Sequence, residues 1–589
     1  MKTFFKYLLA SILGFIIASF LCLLILIGIV GGMMASSDKL VEVKDNSILY
    51  INLNKEIVDR SSNNPFNGFD FESLQPRTSL GLNNILKAIE NAKDDPKIKG
   101  IFMEVDAVNA GAATVNEIRN ALIDFKASGK FIISYNDLYG QKAYFLSSVA
   151  DKIYLNPEGA VAWTGLRAEV MYYKNILEKI GIEPQIIRHG KFKSAVEPYM
   201  LDKMSSENRE QISTFIGSIW NHWVDEISKS RNISNAELNR FADEMMIRNG
   251  KTTLENKLVD SLIYKDQVID ILKKKLGVSD KKDIPSVSLE DYAKLPTPLK
   301  GKGLSKNKIA VIYASGEINI GNATDGAIGS DGISKVIREA RRDSTIKAIV
   351  LRVNSPGGSA LASEVIWREL VLAKKVKPVI VSMGDVAASG GYYISAPADT
   401  ILADPTTITG SIGVFGILFN VKNVLSNKLG INVETVSTNK HSDFGSMYRP
   451  LTAEERAVVQ LSIEDIYQTF IGHVSEGRNI PIARVDEIGQ GRVWSGVNAK
   501  NIKLIDGFGG LKDAINVAVK KAKLDDYRIT ELPKQKEPFE QIIEELTGKA
   551  KVSILRDELG VAYKHYNNIM NMLSNQGIQA RIPYNVELY

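Results

Sequence analysis

The sequence PVIVSMGDVAASGGYY spans residues 378–393, and KFIISYNDLYGQKAYF at residues 130–145 follows the same plan at a constant offset of 248. The likeness extends over residues 346–413 and 98–165. The copies disagree at one critical place, where the second reads AASGG around Ser389 and the first reads YGQKA around Gln141. A duplicated fold in which only one copy has a candidate serine nucleophile indicates a catalytic domain joined to a supporting domain. The identities, numbered in the second copy, include Ile346, Lys347, Ile380, Ser382, Tyr392, Ala398, Asp399, Pro405 and Gly413.

Short apolar strands alternate with helical patterns in both copies. This alternation predicts an α/β fold. Residues 60–80 are rich in Asn, Ser, Pro and Gly, so we expect a loop there. The expected strands are Ser47–Leu53, Ile98–Val105, Phe131–Tyr135, Ala348–Val353, Pro378–Met383 and Thr400–Ala403, and the expected helices of the first copy are Leu82–Ala92 and Thr114–Lys126.

The chain has 589 residues, enough for two or three domains. Residues 295–306 carry Pro, Gly and Lys with little apolar content, which is typical of a linker. The predicted tail is helical and ends in an edge strand at 580–588. The expected divisions are 1–45 (cytoplasmic tip, transmembrane anchor and stalk), 46–295 (N-terminal repeat), 296–306 (linker), 307–534 (C-terminal repeat) and 535–589 (helical tail).

Composition excludes several classes of function. The net charge of +5 is too dilute to indicate a nucleic-acid-binding protein, and no basic stripe with interleaved aromatics is present. Cys22 is the only cysteine, so no disulfide within the chain and no cysteine-based zinc site can form. The five histidines lack the spacing of metal ligands, and a packed or surface role rather than a ligand role is expected for His222, which lies between Trp220 and Trp223.

Residues 7–35 are almost wholly apolar and uncharged, and Lys2 and Lys6 precede them. The run is longer than the roughly 20 residues that cross a bilayer core. A cleaved signal peptide, the alternative, has an apolar stretch of about 7–15 residues. We therefore expect one uncleaved transmembrane helix. The lysines favour a cytoplasmic N-terminus, which would place the rest of the chain in the periplasm of a bacterium with two membranes.

Three motifs in the second copy each follow a predicted strand. Residues 354–358 (NSPGG) leave backbone N–H groups uncovered that could face a developing oxyanion, although a plain turn is the alternative. Residues 384–393 (GDVAASGGYY) permit a tight strand-to-helix turn that exposes the Ser389 hydroxyl, with a helix-capping serine as the alternative. Residues 409–413 (TGSIG) could line the same pocket or form a tight turn.

A serine nucleophile needs a base, and no histidine lies in or near these motifs. Lysine can serve if burial lowers its pKa toward neutrality. The sequence pattern alone does not identify which lysine would be the base, and an ordinary surface lysine is the alternative for each.

In this order and spacing, NSPGGS (354–359), GDVAASGGYY (384–393) and TGSIG (409–413) resemble the signature of the signal peptide peptidase A (protease IV) family. The duplication and the N-terminal apolar run resemble its long, two-repeat form. The resemblance implies two crotonase- or Clp-protease-like repeats built from ββα units. It also implies a serine endopeptidase that degrades cleaved signal peptides and other short hydrophobic peptides, as a membrane-anchored homotetramer without metal or cofactor.

The resemblance also implies a Ser-Lys dyad split between the repeats. The family's KSAVEP motif matches residues 193–198, which makes Lys193 the expected base and Lys191 its close competitor. Ser389 is the expected nucleophile. Gly390 with Gly357 or Gly358 is expected to form the oxyanion hole, and Ser411 to orient the lysine amine. Aligned on Gly181 and Gly430, Lys193 falls opposite Ser442, so neither repeat alone would hold both groups.

Two other functions compete with this interpretation. A crotonase-type acyl-CoA enzyme would use a similar oxyanion hole, but it uses carboxylates as acid and base, is usually soluble and lacks a serine at the turn. A non-catalytic membrane scaffold would need neither Ser389 nor Lys193.

Overall fold

The computed structural model describes residues 3–4, 6–7, 9–21, 42–62, 69–70, 75–76, 79–295, 305–322, 326–535 and 577–581. Residues 9–21 are helical. Within the described ranges, no helix combines the length and apolar character needed to span a membrane. Most of the predicted anchor, most of the linker and the predicted helical tail over 536–576 lie outside the described residues.

The first repeat is built on a six-stranded sheet in which every neighbouring pair is parallel. Its central strands coincide with continuous apolar runs, because a parallel sheet covered on both faces buries side chains that point either way. The loop expected at 60–80 is flanked by the pairing of Ile57–Val58 with Leu80–Gly81 and contains the pairing of Phe69–Asp70 with Gln75–Pro76. The sheet order is Ser261–Leu262, Lys152–Val161, Phe131–Tyr139, Ile98–Met103, Ser47–Ile51 and Ser286–Ser288.

The second repeat holds the equivalent sheet, with an antiparallel strand added at one edge. Its strands at 346, 379 and 400 begin 248 residues after those at 98, 131 and 152, as the sequence offset predicts. The sheet order is Val493–Ser495, Ile408–Gly410, Val379–Ala388, Ile346–Ser355, Lys308–Ser315 and Arg528–Leu532, and Thr400–Ala403 pairs with Val379–Ala388 and Gly507–Phe508.

Helices connect and cover these sheets, so the α/β fold with two repeats is confirmed. The largest pair, Ser206–Arg231 and Ala453–Arg478, has 26 residues in each repeat. Each of the two ends at an asparagine in the left-handed conformation, Asn232 and Asn479. The other α-helices of the first repeat are Leu82–Asp94, Ala112–Lys126, Gln141–Ser147, Lys174–Ile180, Glu197–Met200, Asn235–Asp243, Gly250–Glu255, Lys265–Leu276 and Leu289–Lys294, and those of the second are Ser330–Arg342, Ala360–Lys374, Gly390–Ser395, Ile482–Ile488, Gly496–Asn501 and Leu511–Lys521. Ser194–Val196 forms a 3₁₀-helical turn, and Val424–Lys428 forms a π-helical turn.

A third sheet joins the two repeats. Glu183–Arg188 of the first repeat pairs antiparallel with Phe415–Asn420 of the second, over six residue pairs from Phe415↔Arg188 to Asn420↔Glu183. The strand predicted at the C-terminal edge instead runs from Gly577 to Arg581 and is paired on both sides. The sheet order is Ala327–Gly329, Glu317–Asn319, Gly357–Ser359, Gly577–Arg581, Phe415–Asn420 and Glu183–Arg188.

Buried charged side chains next to the NSPGG motif (354–358) also hold the two repeats together. The fully buried Arg352 forms ion pairs with Asp59 at 2.7 Å and Glu117 at 2.6 Å, both from the first repeat. The Asn354 Nδ2 donates to Asp59 at 2.8 Å, and its Oδ1 accepts from the Val386 amide at 3.1 Å. Removing one member would leave an uncompensated charge, so this network fixes the NSPGG turn relative to both repeats.

Candidate active site

Ser389 lies at a sharp turn between the strand Val379–Ala388 and the helix Gly390–Ser395. Its backbone has φ 55° and ψ −114°, a sparsely populated conformation for a residue with a side chain. Hydrogen bonds hold it there, because its amide donates to the Gly410 carbonyl at 2.8 Å and its carbonyl accepts from Tyr393 at 2.8 Å. Small residues before and after it leave room for the bend. The turn therefore fixes the serine hydroxyl at the first turn of a helix, where N–H groups are unpaired.

Lys193 of the first repeat approaches this hydroxyl. Its Nζ lies 2.9 Å from the Ser389 Oγ, 3.1 Å from the Ser411 Oγ and 3.3 Å from the Ser411 carbonyl oxygen. Lys193, Ser389 and Ser411 are all fully buried. The structure thus brings Lys193 together with two serines that each lie about 200 residues away from it in the chain.

Close backbone packing encloses the lysine. A Cβ at Gly491 would lie 2.6 Å from the Lys193 Cα, and one at Gly413 would lie 3.3 Å from its Cδ. The Phe415 ring centre is 5.9 Å from the amine. Burial lowers the pKa of Lys193 well below its usual value, and no carboxylate in the described part of the chain counters this effect. A lysine in such a setting loses its proton more readily and can accept one from a hydroxyl 2.9 Å away.

The segment that carries the lysine is anchored on both repeats. The Phe192 amide donates to the Gln490 carbonyl of the second repeat at 3.0 Å. The buried Gln211 donates through its Nε2 to the Phe192 carbonyl at 3.2 Å and accepts from the Val493 amide at 3.1 Å. These bonds limit the directions that the Lys193 side chain can take.

Lys191 is placed differently. Its side chain is exposed, and its Nζ lies 5.4 Å from the centre of the Phe192 ring. Of the two lysines that the motif left in competition, only Lys193 contacts Ser389.

The three glycines expected to hold an oxyanion lie beside one another. Gly357 and Gly358 have φ values of 100° and 157°, so a side chain would strain the backbone at either position. A Cβ at Gly357 would lie only 2.7 Å from the Gly390 nitrogen. The Gly357 amide donates to the Ser355 Oγ at 3.2 Å. Gly358 is paired with Ile318 on one side and Ala580 on the other, whereas Gly390 is the first residue of its helix, so its amide is the better candidate for an oxyanion donor.

The strand Gly577–Arg581 lies against these glycines. It runs antiparallel to Gly357–Ser359 on one side and to Phe415–Asn420 on the other. The carbonyl oxygen of the buried Ala580 would be 2.1 Å from a Cβ at Gly357 and 3.2 Å from one at Gly390. The chain's own strand Gly577–Arg581 therefore fills the place next to these glycines, which has the width of one extended peptide strand.

The residue equivalent to Ser389 in the first repeat is not a serine, and the residue equivalent to Lys193 in the second repeat is not a lysine. Gln141 stands where the second repeat has Ser389, and its Oε1 accepts from the amides of Thr164 and Gly165 at 2.9 Å. Ser442, opposite Lys193 in the alignment, is exposed. The first repeat thus supplies the lysine, and the second repeat supplies both serines that contact its amine.

Sequence reasoning missed several residues that build the site. Gly491 gave no motif signal, although the lysine packs directly on its Cα. Gln211 lies in an ordinary amphipathic helix, and Asp59 lies in a stretch without a motif, next to the expected loop. Their roles depend on contacts between segments far apart in the chain, which a local pattern does not reveal.

Comparisons with known proteins agree with the duplicated organisation. The family model "Peptidase family S49" matches residues 124–279 and 372–525. "Protease 4" of Salmonella typhi is 37% identical over 555 residues, which cover 91% of this chain and 88% of that protein. "Serine protease SPPA, chloroplastic" of Arabidopsis thaliana is 33% identical over 545 residues, covering 92% of this chain and 78% of that protein.

Among solved structures, a mutant of ClpP1 from Listeria monocytogenes aligns with 35% of this chain and 94% of its own, at 15% identity and a TM-score of 0.24. A likeness this weak adds nothing to the sheet topology described above.

Proposed function

This chain belongs to peptidase family S49 and is a serine endopeptidase, and from that premise we propose that Ser389 and Lys193 form its catalytic dyad. Family membership sets aside the acyl-CoA enzyme and the non-catalytic scaffold. The observation that carries the proposal is that the fully buried Lys193 amine lies 2.9 Å from the hydroxyl of Ser389, whose backbone is in a strained conformation.

The proposed reaction is acyl transfer in two stages. Neutral Lys193 takes the proton of Ser389 while the Oγ attacks the peptide carbonyl carbon. The Gly390 N–H and one N–H of the Gly357–Gly358 pair bind the oxyanion that forms. The Lys193 ammonium then gives its proton to the leaving amine as the C–N bond breaks. A water molecule loses a proton to Lys193 and attacks the acyl group, which leaves as a carboxylic acid while Ser389 regains its proton.

The proposed substrates are short hydrophobic peptides in extended form, including remnants of cleaved signal peptides. The strand Gly577–Arg581 supports this class, because it fits as an added strand between Gly357–Ser359 and Phe415–Asn420. Backbone pairing of this kind recognises an unfolded segment largely independently of its sequence. A folded protein surface could not take the place of this single extended strand.

The membrane location is also a proposal. The apolar run at 7–35, preceded by Lys2 and Lys6, supports a single anchor with the N-terminus in the cytoplasm and both repeats in the periplasm. An anchored enzyme would stay near apolar peptides released at the bilayer. Recovery of the intact chain in the soluble fraction of lysed cells would contradict the anchor. A homotetramer is the proposed assembly.

Activity should rise with pH through the lowered pKa of Lys193 and then reach a plateau. The sign follows from the chemistry, since only the neutral amine accepts the serine proton, and burial favours that form. The measurement is kcat/KM for a hydrophobic peptide, using the full chain in detergent. A profile that is flat from about pH 6 to 10 would contradict lysine as the base.

Ser411→Ala should reduce kcat by about tenfold with little change in KM, because it removes one hydrogen bond of roughly 1.4 kcal/mol from the lysine amine. The Ser411 Oγ lies 3.1 Å from that amine. The pH profile should shift as well, since the hydroxyl interacts differently with the neutral and charged amine. Ser462→Ala, at an exposed helical position, serves as the control. Equal kcat and an unshifted profile in both variants would remove Ser411 from the site.

A further inference from the structure

Tyr467 of the second repeat contacts the turn that packs against the proposed base. It lies on the helix Ala453–Arg478 and is fully buried. Its hydroxyl donates to the Asp486 Oδ1 at 2.6 Å and accepts from the Gln490 amide at 3.2 Å. The Gln490 side chain donates to the same carboxylate oxygen at 2.6 Å. The hydroxyl therefore ties the backbone of the turn 489–491 to the helix that carries Tyr467.

The turn 489–491 has a conformation that depends on support from its surroundings. Gln490 has φ 52°, in the left-handed region that residues with a side chain rarely adopt. The helix and the turn are in close contact, because a Cβ at Gly489 would lie 3.1 Å from the Tyr467 hydroxyl oxygen. Without that hydroxyl, the Gln490 amide would lose this acceptor, and the strained turn would be held less firmly.

The same turn forms part of the wall around Lys193. The Gln490 carbonyl accepts from the Phe192 amide at 3.0 Å, and a Cβ at Gly491 would lie 2.6 Å from the Lys193 Cα. The Arg188 guanidinium donates to the Lys193 carbonyl oxygen at 3.2 Å, away from the amine. Burial is what keeps the amine from holding a proton as firmly as it would in water. A turn that moved away from the lysine would let water reach the amine.

The ring of Tyr467 also contacts the segment that leads to the lysine. His189, four residues before Lys193, stacks on this ring with the centres 3.7 Å apart and the planes at 25°. The His189 Nδ1 is hydrogen-bonded to the Glu464 Oε2 at 2.5 Å. In the described part of the chain, the titratable groups that face Tyr467 are His189, Glu464 and Asp486. Tyr467 therefore lies between the turn and the lysine-bearing segment, and contacts both.

The first repeat has a different pair at the equivalent positions. The two 26-residue helices begin at an offset of 247, which sets Trp220 opposite Tyr467 and Asn239 opposite Asp486. The Trp220 Nε1 donates to the Asn239 Oδ1 at 2.7 Å. An indole N–H can only donate, whereas a tyrosine hydroxyl donates and accepts at once. The group that can accept from a turn amide is therefore present in the repeat whose turn packs on the lysine.

We propose that Tyr467 is a positioning residue for Lys193, because its hydroxyl holds the turn 489–491 against the lysine through the Gln490 amide and so keeps water from the amine. This role rests on the proposed Ser389–Lys193 dyad. It concerns how the base is enclosed rather than which residue is the base.

Tyr467→Phe tests this role, because it removes the hydroxyl and keeps the ring that stacks on His189. In the full chain in detergent, the midpoint of the rise of kcat with pH should move up by about one unit, since a lysine reached by water holds its proton more firmly. Below both midpoints, kcat should fall about tenfold, and at the alkaline plateau it should return to the wild-type value. KM for the hydrophobic peptide should stay unchanged.

Tyr144→Phe is the matched control. The Tyr144 hydroxyl, fully buried in the first repeat, donates to the Leu258 carbonyl at 2.8 Å, so its removal also costs one buried hydrogen bond. This variant should lose as much Tm as Tyr467→Phe and keep the wild-type midpoint. If Tyr467→Phe lost only Tm and kept the wild-type midpoint, its role would be structural and the positioning role would be overturned.

Asp486 provides a second test that does not depend on how Tyr467→Phe folds. Asp486→Ala removes the acceptor that orients the tyrosine hydroxyl, so it should move the midpoint in the same direction. Asp486→Asn keeps an Oδ1 acceptor and should restore the wild-type midpoint. Equal midpoints in these two variants would overturn the positioning role. A flat wild-type profile would overturn the lysine base and this role together, whereas a sloped wild-type profile that no variant moves would overturn this role alone.

Discussion

Replacing Lys193 with Met should lower kcat/KM for a hydrophobic peptide by roughly 10⁴-fold or more, the loss typical of removing a base from a serine hydrolase. Methionine keeps the apolar stem in the space between Gly413 and Gly491 but supplies no group that accepts the Ser389 proton. The loss should fall on kcat, because Lys193 is buried behind the serine and contacts the nucleophile.

Although its activity falls, the thermal stability of the Lys193→Met variant should rise. The pKa of Lys193 is lowered in the folded chain, so between that pKa and the unfolded value of about 10.4 the unfolded state binds the extra proton. The wild-type protein therefore loses stability as pH falls through this window, and the methionine variant does not. Its Tm at neutral pH should be higher than that of the wild type, and the difference should shrink as pH rises toward the unfolded pKa.

Lys191→Met is the matched control, two residues away and exposed. It should keep wild-type activity and wild-type Tm. If Lys191→Met were inactive and Lys193→Met active, the base would be assigned to the wrong residue. A Lys193→Met protein that is inactive because it unfolds would show a lower Tm, so the thermal measurement separates that outcome from loss of the base.

Replacing Ser389 with Ala should remove nearly all hydrolysis, again by roughly 10⁴-fold or more, because no acyl-enzyme can form. A fluorophosphonate probe should label the wild-type chain on a peptide containing Ser389 and should not label this variant. The fold should survive, since alanine fits the space and the backbone turn is held by the Gly410 and Tyr393 hydrogen bonds.

Ser462→Ala provides the comparison for this experiment, because its hydroxyl bonds back to the Val458 carbonyl on an exposed helix face. Labelling and hydrolysis should be unchanged in it. Covalent labelling of a serine other than Ser389, with hydrolysis retained in Ser389→Ala, would move the nucleophile elsewhere.

Local patterns in the sequence predicted much of the sheet structure. The strand at 400–403 has the expected ends, and those at 98 and 131 start where the apolar runs start. Such segments are fixed by their own hydrophobic pattern. The observed strand Val379–Ala388 is longer than expected because Val386, Ala387 and Ala388 pair with Ile408–Gly410, a neighbour that the local pattern does not reveal.

Site residues were predictable only where they lie in motifs, as Ser389, Lys193 and the glycines at 357, 358 and 390 do. Ser389 and Lys193 have functional groups and lie in motifs, whereas Gly491 contributes by having no side chain. The third sheet was not predicted, because its six strands come from residues 183 to 581 and several are only three residues long. Pairings over such distances depend on the whole fold rather than on the strands themselves.

The division of the reacting groups between the repeats bears on biosynthesis. The ribosome synthesises Lys193 long before Ser389, and Gly491, which packs against the Lys193 backbone in the wall of the site, follows roughly a hundred residues after Ser389. Until that wall is present, water surrounds the ammonium group and keeps it charged. On the proposed mechanism, an unfinished polypeptide therefore lacks a neutral base beside Ser389, and proteolytic activity is acquired only late in translation.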